Sequence, residues 1–279
     1  GSVRLKTVSH PTSLKMSNTL VGNSLVEAPR IPALVVGTPV PRLYVYDHCP
    51  FCVRVRFIMG FKNIKHNVVF LANDDIETPT KLVGKKVVPI LEIPSYGEVM
   101  KESMDIVKRI DEDPTFGPQL LKPASGRKDL SEWQDKHQDL FRLLQRPRYV
   151  SSGILPEFSQ QAGRDAYVRN HALPPYAKEE WSDDKRLPRA MRYAKYAEAL
   201  QQTPALLPAA AAAVQELGGM IASAQHCSEG GLSYDDVDLF GRLRSLTIVR
   251  GLPLPDTVRA YLESMAAAAD VPLYDPIAH

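Results

Sequence analysis

The sequence predicts a mixed α/β module followed by an all-helical region. Two observations carry this. Between residues 42 and 113, short β-forming runs and amphipathic runs follow the order strand–helix–strand–helix–strand–strand–helix. From about Asp129 to the end only helical patterns occur, and the stretch between, 114–128, holds three prolines and two glycines, as a linker does. The expected division is therefore 42–113 for the α/β domain, 114–128 for the linker and 129–279 for an all-α domain.

RLYVYD (Arg42 to Asp47) alternates large β-formers and reads as a strand. Next comes CPFCVRVRFIMGFK, with proline directly after Cys49. Proline suits a first helical position because its missing N–H has no helical partner there. Val53, Phe57, Ile58 and Phe61 follow at helical spacing. NVVFL (Asn67 to Leu71) is a second strand, and ETPTKLVG a short helix stopped by Gly84. The apolar run Val88 to Leu91 and the segment Glu98 to Lys101 are two further strands, and SMDIVKRIDE returns to helix. Strand–helix–strand units imply parallel pairing, and the closing hairpin makes the sheet mixed, in a three-layer module.

In the helical region the five-alanine run Ala209 to Ala213 reads as a closely packed helix. GLSYDDVDLFGRL offers Ser233 as N-cap and Asp236 three residues on, an aspartate form of the capping box. Leu232 and Val237 are placed for a hydrophobic staple. The helix it opens should bury Val237, Phe240, Leu243 and Leu246.

The chain has 279 residues, 44% hydrophobic and 24% charged, enough for two real cores. A formal charge of +2 calls for neither nucleic acid nor an anionic membrane as partner. No apolar stretch is long enough to span a bilayer. Residues 1–41 are expected to be a leader outside the fold, tag-derived or disordered, with Gly1-Ser2 reading as a cloning scar. Three cysteines, Cys49, Cys52 and Cys227, do not make a secreted disulfide scaffold and point to a reducing, cytoplasmic setting.

Cys49-Pro50-Phe51-Cys52 is the strongest motif. A strand leads into it and a helix opens at its proline. The N-terminus of a helix presents free N–H groups and partial positive charge, both of which stabilise a thiolate. Cys49 is therefore the expected nucleophile, with its thiol pKa lowered. His48, Arg54 and Arg56 are close enough in sequence to add positive potential. Cys52, one turn on, is placed to attack a mixed disulfide at Cys49. A zinc site needs two more ligands at suitable spacing, and the seven histidines are scattered, so no metal is expected. Cys227 reads as a free structural or surface thiol.

Two further features stand near this motif in the predicted fold. Val88-Pro89 puts a proline in an apolar strand, which either a cis peptide facing the thiol or a trans proline on an edge strand explains, the cis form being the expected one. Glu102-Ser103 opens the last helix of the α/β module. Its free N–H groups and the Ser103 hydroxyl suit a carboxylate, while Glu102 or Asp105 suits an ammonium; the alternative is that Ser103 is simply the N-cap.

Together LYVYDHCPFC, NDDIETPTKLVGKKVVPIL, MKESMDIV and SYDDVDLFGRLRSLTIVRG resemble the bacterial glutaredoxin 2 family, the two-domain glutaredoxins built like glutathione transferases. The resemblance runs from about Arg42 to near the end. It implies a thioredoxin-like domain followed by a glutathione-transferase-like all-helical domain, a monomer, and glutathione-dependent reduction of protein–glutathione mixed disulfides and small disulfides. It assigns Cys49 and Cys52 to catalysis, and Pro50, Phe51, Val88, Pro89, Glu102 and Ser103 to glutathione. Phe51 stands where many glutaredoxins have tyrosine. The implied partners are glutathione and disulfide-containing or glutathionylated proteins. Two other activities share this layout. A glutathione transferase would use a hydroxyl, here Tyr44 or Tyr46, to activate glutathione for attack on electrophiles. An intracellular chloride-channel-like protein would insert into membranes, which the low net charge and lack of a spanning segment disfavour.

Overall fold

A computed structural model describes residues 40–279. The expected leader therefore falls, up to residue 39, outside the described residues. The first part of the chain forms β1 (Arg42–Val45), α1 (Pro50–Phe61), β2 (Asn67–Phe70), α2 (Glu77–Val83), β3 (Ile90–Ile93), β4 (Glu98–Lys101) and α3 (Ser103–Glu112). The remainder is helical: α4 (Lys128–Ser152), α5 (Gln161–Asn170), α6 (Lys178–Ser182), α7 (Arg189–Gln201), α8 (Thr203–Gly218), α9 (Tyr234–Leu243) and α10 (Asp256–Ala269), joined by 3-10 turns. This is a thioredoxin-like α/β unit followed by an all-helical unit, as the sequence predicts.

The four strands lie in the order β2-β1-β3-β4. β1 and β2 are parallel, while β3 runs antiparallel to both β1 and β4. The second strand–helix–strand unit thus departs from the parallel expectation. A seven-residue helix such as α2 rises only about 10 Å. The chain then turns at Gly84, at φ 78°, and enters β3 from the end of the sheet at which β2 finished. β3 also begins at Ile90 rather than Val88, because Pro89 has no N–H to give a ladder.

Side chains alternate across β1 as a strand dictates. Leu43 and Val45 join the main core with α1 and α3, whereas Tyr44 joins Ile90, Leu71, Leu82 and Val83 on the α2 face. The sheet is therefore covered on both faces. α1 is the pivot of the molecule. It packs on α3 along one flank and on α9 and α10 along another, so Phe57, Ile58 and Met59 are wholly buried.

The start of α9 follows the sequence closely. Ser233 is the N-cap in extended conformation, and its backbone N–H donates to Asp236 Oδ2 at 2.8 Å, closing the capping box. Val237, Phe240 and Leu243 are buried on α9, and Leu246 in the 3-10 turn that continues it. α4 spans 25 residues. It runs through Pro147, whose ring packs in the interior. Among the described residues no helix is long and apolar enough to cross a membrane.

Candidate active site

Strand register brings three predicted pieces to one end of the sheet. Tyr44 pairs with Ile90, so Pro89 stands level with the last residue of β1, just before the loop to Cys49. Ile90 pairs with Lys101, so Glu102 and Ser103 emerge at the same end. β1 delivers the thiol motif there, β3 begins there, and β4 hands over to α3 there.

Cys49 is the N-cap residue of α1, with Pro50 at its first turn. It is 9% exposed, and Cys52 is fully buried. Both are free thiols. The Cys49 thiol is lowered to about 7. The main cause is the Cys52 thiol, which donates to it. Burial opposes the shift, while the charge of His48 and the amides of Cys52 and Phe51 reinforce it. Cys52 moves the other way. Burial and the neighbouring Cys49 hold its proton on, against a hydrogen bond that its Sγ accepts from the Tyr46 N–H at 3.4 Å. One sulfur is thus poised as an anion and the other as its proton-bearing neighbour.

The positive potential at Cys49 comes from His48 and not from the arginines. Arg54 pairs with Asp238 on α9, donates to the Ser103 hydroxyl at 3.1 Å and lies 4.7 Å from the Phe51 ring centre. Arg56 pairs with Asp47 at 2.5 Å. Both charges are spent on carboxylates. Asp47 is itself held by Arg244 at 3.2 Å and by the Tyr274 hydroxyl at 2.7 Å, which fixes the loop before the thiols to the C-terminal part of the chain.

The Val88-Pro89 bond is cis, as its sequence context suggests. Phe51 is 43% exposed beside the thiols. Glu102 caps α3 at φ 71°, a region costly for a residue with a Cβ, and its side chain points outward near Lys85 at 3.5 Å. Ser103 is buried, and its hydroxyl already accepts from Arg54, so it is the first residue of α3 rather than the cap.

The structure adds Glu157, which sequence reasoning did not find. It sits in the 3-10 turn Pro156–Phe158 of the helical half, fully buried, and binds His48. A three-residue turn has no periodicity to betray it. Cys227 is buried away from this site, and burial beside Asp236 pushes its thiol up. Tyr44, one candidate hydroxyl for transferase chemistry, already donates to Glu92 at 3.0 Å. Among the described residues no group of three or more His, Cys, Asp and Glu gathers as metal ligands would.

Comparison with known proteins gives a consistent picture. The family described as glutaredoxin 2, C-terminal domain, matches residues 129–278. The glutathione S-transferase N-terminal domain family matches residues 43–118. Glutaredoxin 2 of Escherichia coli K12 is 34% identical over 239 residues, which cover 85% of this chain and 99% of that protein. The crystal structure of glutaredoxin 2 from Salmonella typhimurium in complex with glutathione superposes with a TM-score of 0.73 at 31% identity, covering 87% of this chain and all of the other. A glutathione S-transferase from Rhodospirillum rubrum shares the fold at 14% identity, with a TM-score of 0.51.

Proposed function

The chain belongs to the glutaredoxin 2 family, and from that premise we propose that it reduces protein–glutathione mixed disulfides with Cys49 as the nucleophile. It is a glutathione-dependent thiol–disulfide oxidoreductase. The observation that carries the residue assignment is the Cys49 sulfur at the opening of α1, lowered to about 7, with the protonated Cys52 beside it.

The Cys49 thiolate attacks the glutathione sulfur of the mixed disulfide. A new S–S bond joins Cys49 to glutathione, and the substrate thiolate leaves and takes up a proton. A second glutathione, as thiolate, then attacks the glutathione sulfur held on Cys49. Oxidised glutathione leaves and Cys49 returns to thiolate. For a disulfide without glutathione, the Cys49 thiolate attacks one sulfur, the first substrate thiolate leaves, and Cys52 then gives up its proton and attacks the Cys49 sulfur of the mixed disulfide. The second substrate thiol is released and a Cys49–Cys52 disulfide remains, which two glutathiones reduce.

Glutathione lies across the end of the sheet where register gathers the pieces. Phe51 and Pro50 flank its sulfur, and the backbone of Val88 beside Pro89 lies along its cysteinyl unit. The exposed Glu102 and the α3 N–H groups at Ser103 take its γ-glutamyl end. The same reading divides the chain into a thiol domain at 42–113, a linker at 114–128 and a helical domain at 129–279. In support, every strand among the described residues lies in the first part. It further takes the protein as a cytoplasmic monomer acting on disulfide-containing proteins. The cysteine usage suits a reducing compartment. The exposed apolar residues of the sheet are divided between opposite edges, Val68 and Phe70 on β2 and Val99 on β4, rather than gathered as an interface.

The test is a glutathione-coupled assay of two variants. Cys49→Ser should abolish activity, and Cys52→Ser should keep deglutathionylation while losing reduction of protein disulfides. An active Cys49→Ser protein overturns the proposal.

A further inference from the structure

We propose that Glu157 is a positioning residue for the thiol reaction: reaching from the helical half, it clamps His48 so that the imidazole keeps its positive charge beside the Cys49 sulfur. The inference rests on Cys49 as nucleophile and adds a residue to that same site.

The geometry is unusually one-sided. Glu157 Oε1 accepts the His48 backbone N–H at 2.9 Å and meets His48 Nδ1 at 2.5 Å. Its other oxygen, Oε2, is buried with no hydrogen-bond partner among the described residues. The main chain of Glu157 is held separately. Its carbonyl accepts from the Asn73 side chain at 3.0 Å and the Asn73 N–H at 3.4 Å. α5 presses on the same carbonyl so closely that a Cβ at Gly163 would stand 2.5 Å from it. The carboxylate is left to serve His48 alone.

Aromatic rings enclose the His48 side of this pair. The His48 ring stacks on Tyr46 with centroids 6.0 Å apart and packs against Tyr149, Phe158 and Tyr167 at 5.0, 5.0 and 5.1 Å. Burial holds the Tyr46 and Tyr149 phenols protonated and pushes Tyr167 up to about 12. Behind Tyr167, His171 stacks at 3.9 Å; burial and Arg146 push it down to about 3, so it is neutral. Arg146 and Lys86 act on His171, Arg146 also on Tyr167, Asp75 acts on Tyr46, and Asp47 is tied to Arg244 and Arg56. The charge acting on Cys49 from this side is therefore that of His48, with Glu157 bound to its ring and the buried, protonated Cys52 directly beside the sulfur.

A carboxylate on Nδ1 fixes the imidazole orientation and stabilises its cation. Alone, the Glu157 anion would disfavour a thiolate nearby. Acting through His48, it favours one. The two effects have opposite signs, which makes the inference decidable.

The experiment follows Cys49 alkylation against pH in the wild type, Glu157→Gln, His48→Ala and the double variant. Both single substitutions should raise the apparent Cys49 pKa by about one unit, which is about a tenfold loss of thiolate on the acid side. The double variant should lie no higher than His48→Ala, because Glu157 acts through that ring. An unchanged or lowered value in Glu157→Gln, or additive shifts, overturns the inference. If Glu157→Gln does not fold, proton NMR of the wild type decides. A downfield His48 Nδ1–H resonance supports the clamp, and a ring protonated only at Nε2 refutes it. An active Cys49→Ser protein would defeat the nucleophile assignment. An inactive one beside an unshifted Glu157→Gln profile would defeat only the role of Glu157.

Discussion

Gly241 on α9 faces the carbonyl of Pro50, the first residue of the thiol-bearing helix, so closely that a Cβ would stand 2.8 Å from that oxygen and 3.3 Å from Arg54 Cγ. The helical half thereby touches the backbone next to Cys49. A methyl group here must displace one helix from the other. Gly241→Ala should cost about 1–3 kcal/mol of stability and slow Cys49 alkylation. Thermal unfolding and an alkylation time course check both effects. A variant as stable and as reactive as the wild type would show that the contact is not limiting.

Arg244 anchors the loop before the thiols. It is almost fully buried and donates to the Asp47 carbonyl and to the Tyr274 hydroxyl, both at 2.8 Å, besides pairing with the Asp47 carboxylate. Replacing it with methionine leaves Asp47 with Arg56 but without its buried partner. Arg244→Met should lose about 3–5 kcal/mol, measured by urea unfolding, and Asp47→Asn in the same background should recover part of it.

Cys227 is a packing residue. It is buried, and its thiol is pushed up by burial and by Asp236. Under native conditions it should resist alkylation, and Cys227→Ala should keep full oxidoreductase activity. Mass spectrometry of the labelled reduced protein checks the first statement.

The thiols also set a pH dependence of stability. In the unfolded chain Cys49 titrates near its ordinary 9.0, and in the folded protein near 7. Between these values the unfolded thiol holds a proton that the folded one has lost, so stability rises with pH there. The contribution is fully present above about pH 9 and is lost as pH falls through about 7. Cys52, raised by burial and by Cys49, acts oppositely and withdraws stability above about pH 9. The urea midpoint of the reduced wild type, minus that of Cys49→Ser, should therefore grow from about pH 6 to about pH 9. A flat difference would contradict the lowered thiol.

Local signals made much of this readable before any coordinates. Proline after Cys49 marked the start of α1, and Ser233 with Asp236 marked the start of α9. Both are rules written within one helical turn. The direction of β3 was not readable, because it depends on how little length α2 supplies for the return. Nor were the partners of Arg54 and His48. Asp238 and Glu157 lie more than a hundred residues further along the chain, and no spacing rule links them to the motif. Arg54 looked like a source of potential for the thiol because it is near in sequence. The folded chain turns it toward Ser103 and Asp238 instead.

The central claim is tested most directly by the rate of iodoacetamide alkylation of Cys49 in the reduced Cys227→Ala protein as pH is varied. The account predicts a single titration with its midpoint at about 7, levelling off by about pH 8. A midpoint near the ordinary value of 9.0 would mean that the opening of α1, Cys52 and His48 do not hold the sulfur as an anion, and would contradict it.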